Sequence, residues 1–231
     1  MKYSKIIKGS FLSRPNRFIA KVLVDGVEET VHVKNTGRCR ELLTPLSTVY
    51  LYVADNPQRK TKYDLIAVEK VRSGKEPLLV NMDSQVPNTV AEEWLRTCGI
   101  FSESAHIRRE VTFGKSRFDF YIEDGSRKAF LEVKGVTLET DGIASFPDAP
   151  TERGVKHVNE LTECIAQGYE AYILFVVQMK EISLMTPNDI THKAFGDSLR
   201  DAEKAGVKIL AVDCIVTPDS IKCDKLIKVK L

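Results

Sequence analysis

Two kinds of patterning meet in this chain, and the change between them near residues 81–89 limits what it can fold into. Residues 1–80 read as short strands parted by turns. The runs RFIAKVLV and VEETVHV flank a two-residue Asp25-Gly26 turn, a hairpin signature. STVYLYVAD and YDLIAVEKV follow as further β-branched runs. An all-β barrel or sandwich of about five strands is expected. A small basic barrel of this kind suggests an OB-fold, a scaffold for binding rather than a chemistry.

After the turn-formers NMDSQVPNT, helical and strand patterns alternate. Asn88 or Thr89 is placed to cap a helix over VAEEWLRTC, with Glu92 and Glu93 in its first turn, where the macrodipole favours carboxylates. Strand patterns follow at HIRREVTFG, RFDFYIE and KAFLEVKGVTL. A helix is expected from about Thr151 to Gln167, ended by Gly168, then a buried strand EAYILFVVQ, a helix DSLRDAEKAG and a strand VKILAVDCIV. This αβββαβαβ order describes an α/β sandwich with a mixed sheet. The chain is read as two domains, residues 1–82 and 83–231, of α+β or α/β class.

With 231 residues, 43% hydrophobic and 29% charged, there is enough chain for a substantial core, and collagen-like, low-complexity or wholly disordered classes are excluded. No apolar run approaches the roughly 18 residues that span a bilayer, and the N-terminus carries charges where a signal peptide needs an apolar stretch. A cytoplasmic protein without a membrane partner is expected. The cysteines (39, 98, 164, 214, 223) form no CxxC pair, which argues against a disulfide framework or a thiolate zinc site; Cys164 and Cys214 read as buried hydrophobes. The histidines (32, 106, 157, 192) form no HExxH cluster.

The hairpin of RFDFYIE and KAFLEVKG carries the chemistry. With DGSR as its loop, Glu123 pairs with Lys128, and the same register sets Asp119 opposite Glu132. Alternation puts Lys134 on the face of Glu132. Two carboxylates at that spacing repel unless a cation lies between them, and a divalent ion, Mg²⁺ or Mn²⁺, would satisfy both. Glu92 or Glu93 from the preceding helix is the candidate third carboxylate. A hard metal beside a lysine suits phosphodiester hydrolysis. The competing reading of the trio is a surface salt-bridge cluster.

FDF at 118–120 with EVK at 132–134 resembles the Asp…(Asp/Glu)-x-Lys motif of the PD-(D/E)xK nuclease superfamily. The wider set HVKNTGRCREL, NPQRKTKYDL, RREVTFGKSRFDF, LEVKGVTL, ASFPDAPTERGVKHVNEL, LFVVQ and TPND resembles the sugar fermentation stimulation protein A family from about residue 11 to the C-terminus. The resemblance implies an OB-like N-terminal domain, a nuclease-like C-terminal domain, DNA binding, and a regulatory role in sugar utilisation. It places Asp119 and Glu132 at metal-ligand positions, Lys134 at the catalytic lysine, and Glu92 or Glu93 at the helix carboxylate. Phe118 stands where the superfamily has proline.

Net charge is only +2, but residues 1–80 hold 15 Lys+Arg against 8 Asp+Glu, and residues 81–231 hold 19 against 24. A basic first third suggests a polyanion. Arg14, Arg17, Arg38, Arg40, Arg59, Lys60 and Lys62 are the candidate phosphate contacts, several beside neutral turn residues such as Thr36 and Gly37. Tyr50 and Tyr52 either stack bases or cover one sheet face. Arg153 and His157 share a face of the Thr151–Gln167 helix, with Glu160 one turn on, either at the edge of the site or solvated. The leading expectation is a largely non-sequence-specific DNA-binding protein with a nuclease-type metal site. An active endonuclease on structured DNA is the alternative, and an oligosaccharide or protein binder the weaker one. A homodimer is left open.

Overall fold

The computed structural model describes residues 1–35, 37–56 and 58–231; Thr36 and Pro57 lie outside the described residues. The first 81 residues form β1 (Ile6–Asn16), β2 (Ile19–Val24), β3 (Val27–Val33), β4 (Thr48–Val53), β5 (Tyr63–Arg72) and β6 (Lys75–Asn81). They make one sheet in the order β3-β2-β1-β4-β5-β6. The β2–β3 hairpin turns at Asp25 and Gly26, whose φ values of 48° and 82° are those of a type I′ turn. A parallel pairing of β3 with β5, His32↔Asp64 and Val33↔Leu65, links β1 to β5 in a ring of pairings.

One buried carboxylate pins that contact. Asp64 is 1% exposed and accepts from both terminal nitrogens of Arg59, with His32 and Lys34 also against it. Burial alone would raise its pKa, but Arg59, Lys34 and His32 outweigh it and hold the carboxyl at about 2. A depressed carboxyl stabilises the fold above its unfolded value near 3.9, and that stability is lost as the pH falls through about 2. Asp64→Ala strands Arg59 and Lys34 without their carboxylate and should cost about 3–5 kcal/mol in urea denaturation at pH 7. A loss below 1 kcal/mol would mean that the cluster is not holding β3 to β5.

The remaining residues form α1 (Val86–Leu95), β7 (His106–Phe113), β8 (Ser116–Asp124), β9 (Arg127–Val136), β10 (Leu138–Thr140), β11 (Ile143–Phe146), α2 (Glu152–Ala166), β12 (Glu170–Val177), β13 (Leu184–Pro187), α3 (Asp189–Lys204), β14 (Lys208–Thr217), β15 (Ser220–Leu226) and β16 (Lys228–Val229). A mixed sheet runs β15-β14-β12-β9-β8-β7, with β12 parallel to both β9 and β14. Flanked on both sides, β12 reads as a continuous apolar run. A small sheet β10-β11-β13-β16 was not anticipated, because strands of two to four residues carry no readable period.

Helix α2 starts where expected: Thr151 caps it through a bond from Gly154 N at 3.0 Å, and Gly168, at φ 85°, follows its end. Helix α1 does not. It begins at Val86 rather than after Asn88 or Thr89, because Pro87 fits the first turn, where its missing N–H costs nothing. Asn88 and Thr89 therefore lie inside the helix. Helix α3 begins eight residues before the expected DSLRDAEKAG segment, capped by Asn188 and kinked at His192.

Val90 and Trp94 of α1 pack with Phe120, Leu131 and Leu174 on one face of the mixed sheet. Val158 and Leu161 of α2 and Phe195 of α3 pack on the other, in a cluster continuous with Phe11, Val22 and Leu51 of the first sheet. The halves also meet in a polar seam, where Gln178 Nε2 donates to Asn81 O, Asn81 Oδ1 and Asp83 O. Cys164 and Cys214 are fully buried.

Candidate functional site

The β8–β9 hairpin pairs Glu123 with Lys128 and Phe120 with Leu131. Asp124 also pairs with Arg127, so the turn is Gly125-Ser126 rather than four residues, without change of register. Residues 116–118 of β8 pair with β7 alone, while β9 continues along β12 to Val136. A fork therefore opens at Asp119, and its side chain bridges it: Oδ2 accepts from Val133 N at 2.7 Å and Oδ1 from Asn88 Nδ2 at 2.7 Å.

Alternation breaks at the same point. Phe118 packs with the α2 face and Phe120 with the α1 face, although two residues along a strand should share a face. Across the ladder, Glu110 adopts φ 54°, a left-handed conformation uncommon outside glycine. The pairs on either side, Arg109↔Phe120 and Val111↔Phe118, keep register.

Glu132 is 4% exposed. Its Oε1 accepts from Lys134 Nζ at 2.5 Å and meets His157 Nδ1 at 2.5 Å. Arg153 Nε donates to His157 Nε2 at 3.4 Å, and a guanidinium only donates, so Nε2 is the acceptor and the proton sits on Nδ1, facing Glu132. The other carboxylate oxygen, Oε2, is buried without a partner among the described residues. Leaving a charged acceptor so exposed to desolvation is costly, and a cation at Oε2 would remove the cost.

Burial raises the Asp119 pKa, and the nearby Glu132 charge adds to it, against the bonds from Val133 and Asn88. Burial pushes Glu132 the same way, but the His157 bond and Lys134 outweigh it and hold that carboxyl below its ordinary value. Neighbouring carboxyls driven apart in this manner are characteristic of functional sites. A cavity lined by Gln85, Asn88, Thr89, Arg109 and Glu110 opens Asp119 to solvent. Two carboxylates and no sulfur make a donor set that suits a hard cation such as Mg²⁺, Mn²⁺ or Ca²⁺.

Asp119, Glu132 and Lys134 are thus brought together. The glutamates of α1 are not: Glu92 pairs with Arg96 and Arg109, and Glu93 with the amino group of Met1. Among the described residues no group of three or more His, Cys, Asp and Glu side chains is arranged to hold a metal. The side chain that α1 sends to Asp119 is Asn88, one turn before Glu92, and Pro87 as a helix-start signal could have revealed it. His157 is 6% exposed and faces Glu132 instead of projecting to a phosphate. Glu160, read as a solvated alternative, is 7% exposed.

Three of the basic candidates have partners within the chain, Lys62 through an exposed pair with Glu29 at 3.4 Å. Arg14 donates to the carbonyls of Arg17, Asn35, Gly37 and Arg38, and Arg59 is bound to Asp64. Arg17, Arg38, Arg40, Lys60 and Arg153 are exposed, and none makes an ion pair among the described residues. Tyr50 and Tyr52 are half-buried, with hydroxyls donating to Glu69 and Asp55.

The chain matches the "Sugar fermentation stimulation protein RE domain" over residues 85–220 and the "SfsA N-terminal OB domain" over residues 12–75. A sugar fermentation stimulation protein homolog of Desulfitobacterium hafniense (strain DSM 10664 / DCB-2) is 63% identical over 231 residues, covering 100% of this chain and 99% of the relative. This chain belongs to the sugar fermentation stimulation protein family. Another member, from Clostridium beijerinckii, is 55% identical over 221 residues, 96% of each chain. The solved structure titled "The structure of Pyrococcus Furiosus SfsA in complex with Ca2+" superposes with a TM-score of 0.83 at 27% identity, covering 100% of this chain and 98% of the other. Among the described residues no helix is long and apolar enough to cross a membrane.

Proposed function

We propose that this member of the family is a largely non-sequence-specific DNA-binding protein whose C-terminal, nuclease-like sandwich holds a divalent cation between Asp119 and Glu132. The observation that carries the reading is the unpartnered buried Oε2 of Glu132, in a carboxylate whose other oxygen is already fixed by Lys134 and His157, beside the bridging carboxylate of Asp119. That the Pyrococcus furiosus relative was solved with Ca²⁺ agrees with a hard-cation site. The OB domain and the exposed Arg17, Arg38, Arg40 and Lys60 support a polyanion partner, with Arg153 beside the acidic pair through His157.

In such a site the cation would polarise a phosphoryl oxygen and lower the pKa of a bound water. Asp119 and Glu132 supply the anionic oxygens. Lys134 holds Glu132 and brings a fixed positive charge to the place where phosphodiester charge would develop. These parts also fit an endonuclease on structured DNA.

Titration with Mn²⁺ by calorimetry, together with DNA binding at several salt concentrations, tests the proposal. One divalent ion per chain should bind, and log affinity for DNA should fall linearly with log salt. Incubation of branched, single-stranded and duplex DNA with Mn²⁺ reads the catalytic half: cleavage lost in Lys134→Ala supports the endonuclease. Absence of any bound Mn²⁺ or Mg²⁺ at millimolar concentration would end the metal assignment.

A further inference from the structure

The Arg14 guanidinium is a strut rather than a contact. Its terminal nitrogens donate to Gly37 O and Arg38 O at 2.8 Å each, to Arg17 O at 2.7 Å and to Asn35 O at 2.5 Å. One side chain therefore ties the β1–β2 turn to the segment after β3. The turn is fixed a second time, because Phe18 N and Ile19 N both donate to Asn16 Oδ1 at 2.9 and 3.0 Å. On this doubly held frame Phe18 is 55% exposed, with the exposed side chains of Arg17, Arg38 and Arg40 around the same strut. Lone exposed apolar residues are ordinary. An exposed aromatic side chain on a fixed turn, with arginines that make no ion pair among the described residues on the two tied segments, is the composition that stacks a base and grips its phosphates.

The segment held by the strut also borders a cleft at the end of β9. Arg38 N donates to Asp148 Oδ2 at 3.1 Å, and Asp148, Asn35 and Gly37 line a cleft with Gly135, Val136 and Thr137, the continuation of β9 immediately after Lys134. The carboxylate of Asp148 is turned onto the loop backbone.

We propose that Phe18, Arg17, Arg38 and Arg40 form a docking surface for an unpaired DNA strand, with Phe18 stacking on a base. Arg14 acts as the positioning residue that ties the turn carrying Arg17 and Phe18 to the segment carrying Arg38 and Arg40. The inference rests on the DNA-binding reading above and adds the form of DNA recognised. Stacking within a duplex conceals the base faces, whereas a single strand or the arm of a fork offers them.

Fluorescence anisotropy without divalent metal, on a single strand, a fork and a blunt duplex of the same sequence, separates the two ideas. Phe18→Ala should weaken binding to the single strand and the fork by about tenfold and leave the duplex within about twofold, while Phe18→Trp restores the loss. Arg14→Gln should weaken all three, and its melting curve and far-UV spectrum report whether it still folds. Wild-type protein that binds none of the three overturns the DNA-binding reading itself. Wild-type protein that binds DNA while Phe18→Ala matches it on every form, or loses duplex binding equally, overturns this surface alone.

Discussion

Glu132→Ala is expected to destabilise the protein by about 3–5 kcal/mol at pH 7, the scale for breaking a buried charge pair by removing one partner. Lys134, with 15% of its side chain exposed, loses the carboxylate that neutralises it, and the Nδ1 proton of His157 loses its acceptor. Glu132→Gln keeps an oxygen for both donors, so it should retain more of the stability while losing the anionic charge at Oε2. The pair of variants separates structure from ligation. In both, Mn²⁺ affinity should fall by more than the roughly 10- to 100-fold typical of outer-shell changes. Urea denaturation reads the first effect and calorimetric titration the second. Wild-type Mn²⁺ affinity in Glu132→Gln would remove this carboxylate from any metal site.

Asp119→Asn should act in the opposite direction on the apo protein. Burial and Glu132 raise the Asp119 pKa in the folded state, so the native chain binds the proton more tightly than the unfolded chain does. Stability therefore declines as pH rises from the unfolded value near 3.9 through the raised folded value, and the deficit persists at neutral pH. A neutral amide escapes that cost and still accepts from Val133 N, and a flip of the Asn88 amide presents its oxygen to the new NH2, so the apo variant should melt higher than wild type at pH 7. Cation binding reverses the order. At 100 times its Kd, Mn²⁺ should stabilise wild type by about 2.7 kcal/mol, or roughly 5–10 °C in a chain of this size, and Asp119→Asn by almost nothing. The wild-type shift should fade on acidification at a higher pH than an unperturbed aspartate would give, because the proton competes for Asp119. An apo variant that melts lower than wild type, yet shifts fully with Mn²⁺, would contradict both parts.

The hairpin register was legible because it depends on local quantities: the turn, the two-residue alternation and the matched lengths of RFDFYIE and KAFLEVKG. So were the limits of α2, where a threonine cap and a glycine stop act within one turn of the chain. The same locality explains the misplaced start of α1. Asn88 and Thr89 are good caps in isolation, and Pro87 one residue earlier prevailed by preorganising the first turn.

What only the tertiary structure decided is which charged groups spend themselves on each other. Nothing near Arg14 or Arg59 in the sequence announces that one will hold four carbonyls and the other a buried aspartate. Their partners come from other strands. Glu92 and Glu93 lie on α1 but past its first turn, because the helix starts at Val86, and α1 is rotated so that Asn88 meets Asp119 and the glutamates meet Arg109 and the N-terminus. By itself the sequence determined the longer strands of the two main sheets, the limits of α2 and the acid-acid-lysine trio, since periodicity and capping are properties of neighbouring residues. Burial and desolvation are properties of the packed whole, and they determined which of those charges were left with an unfilled oxygen.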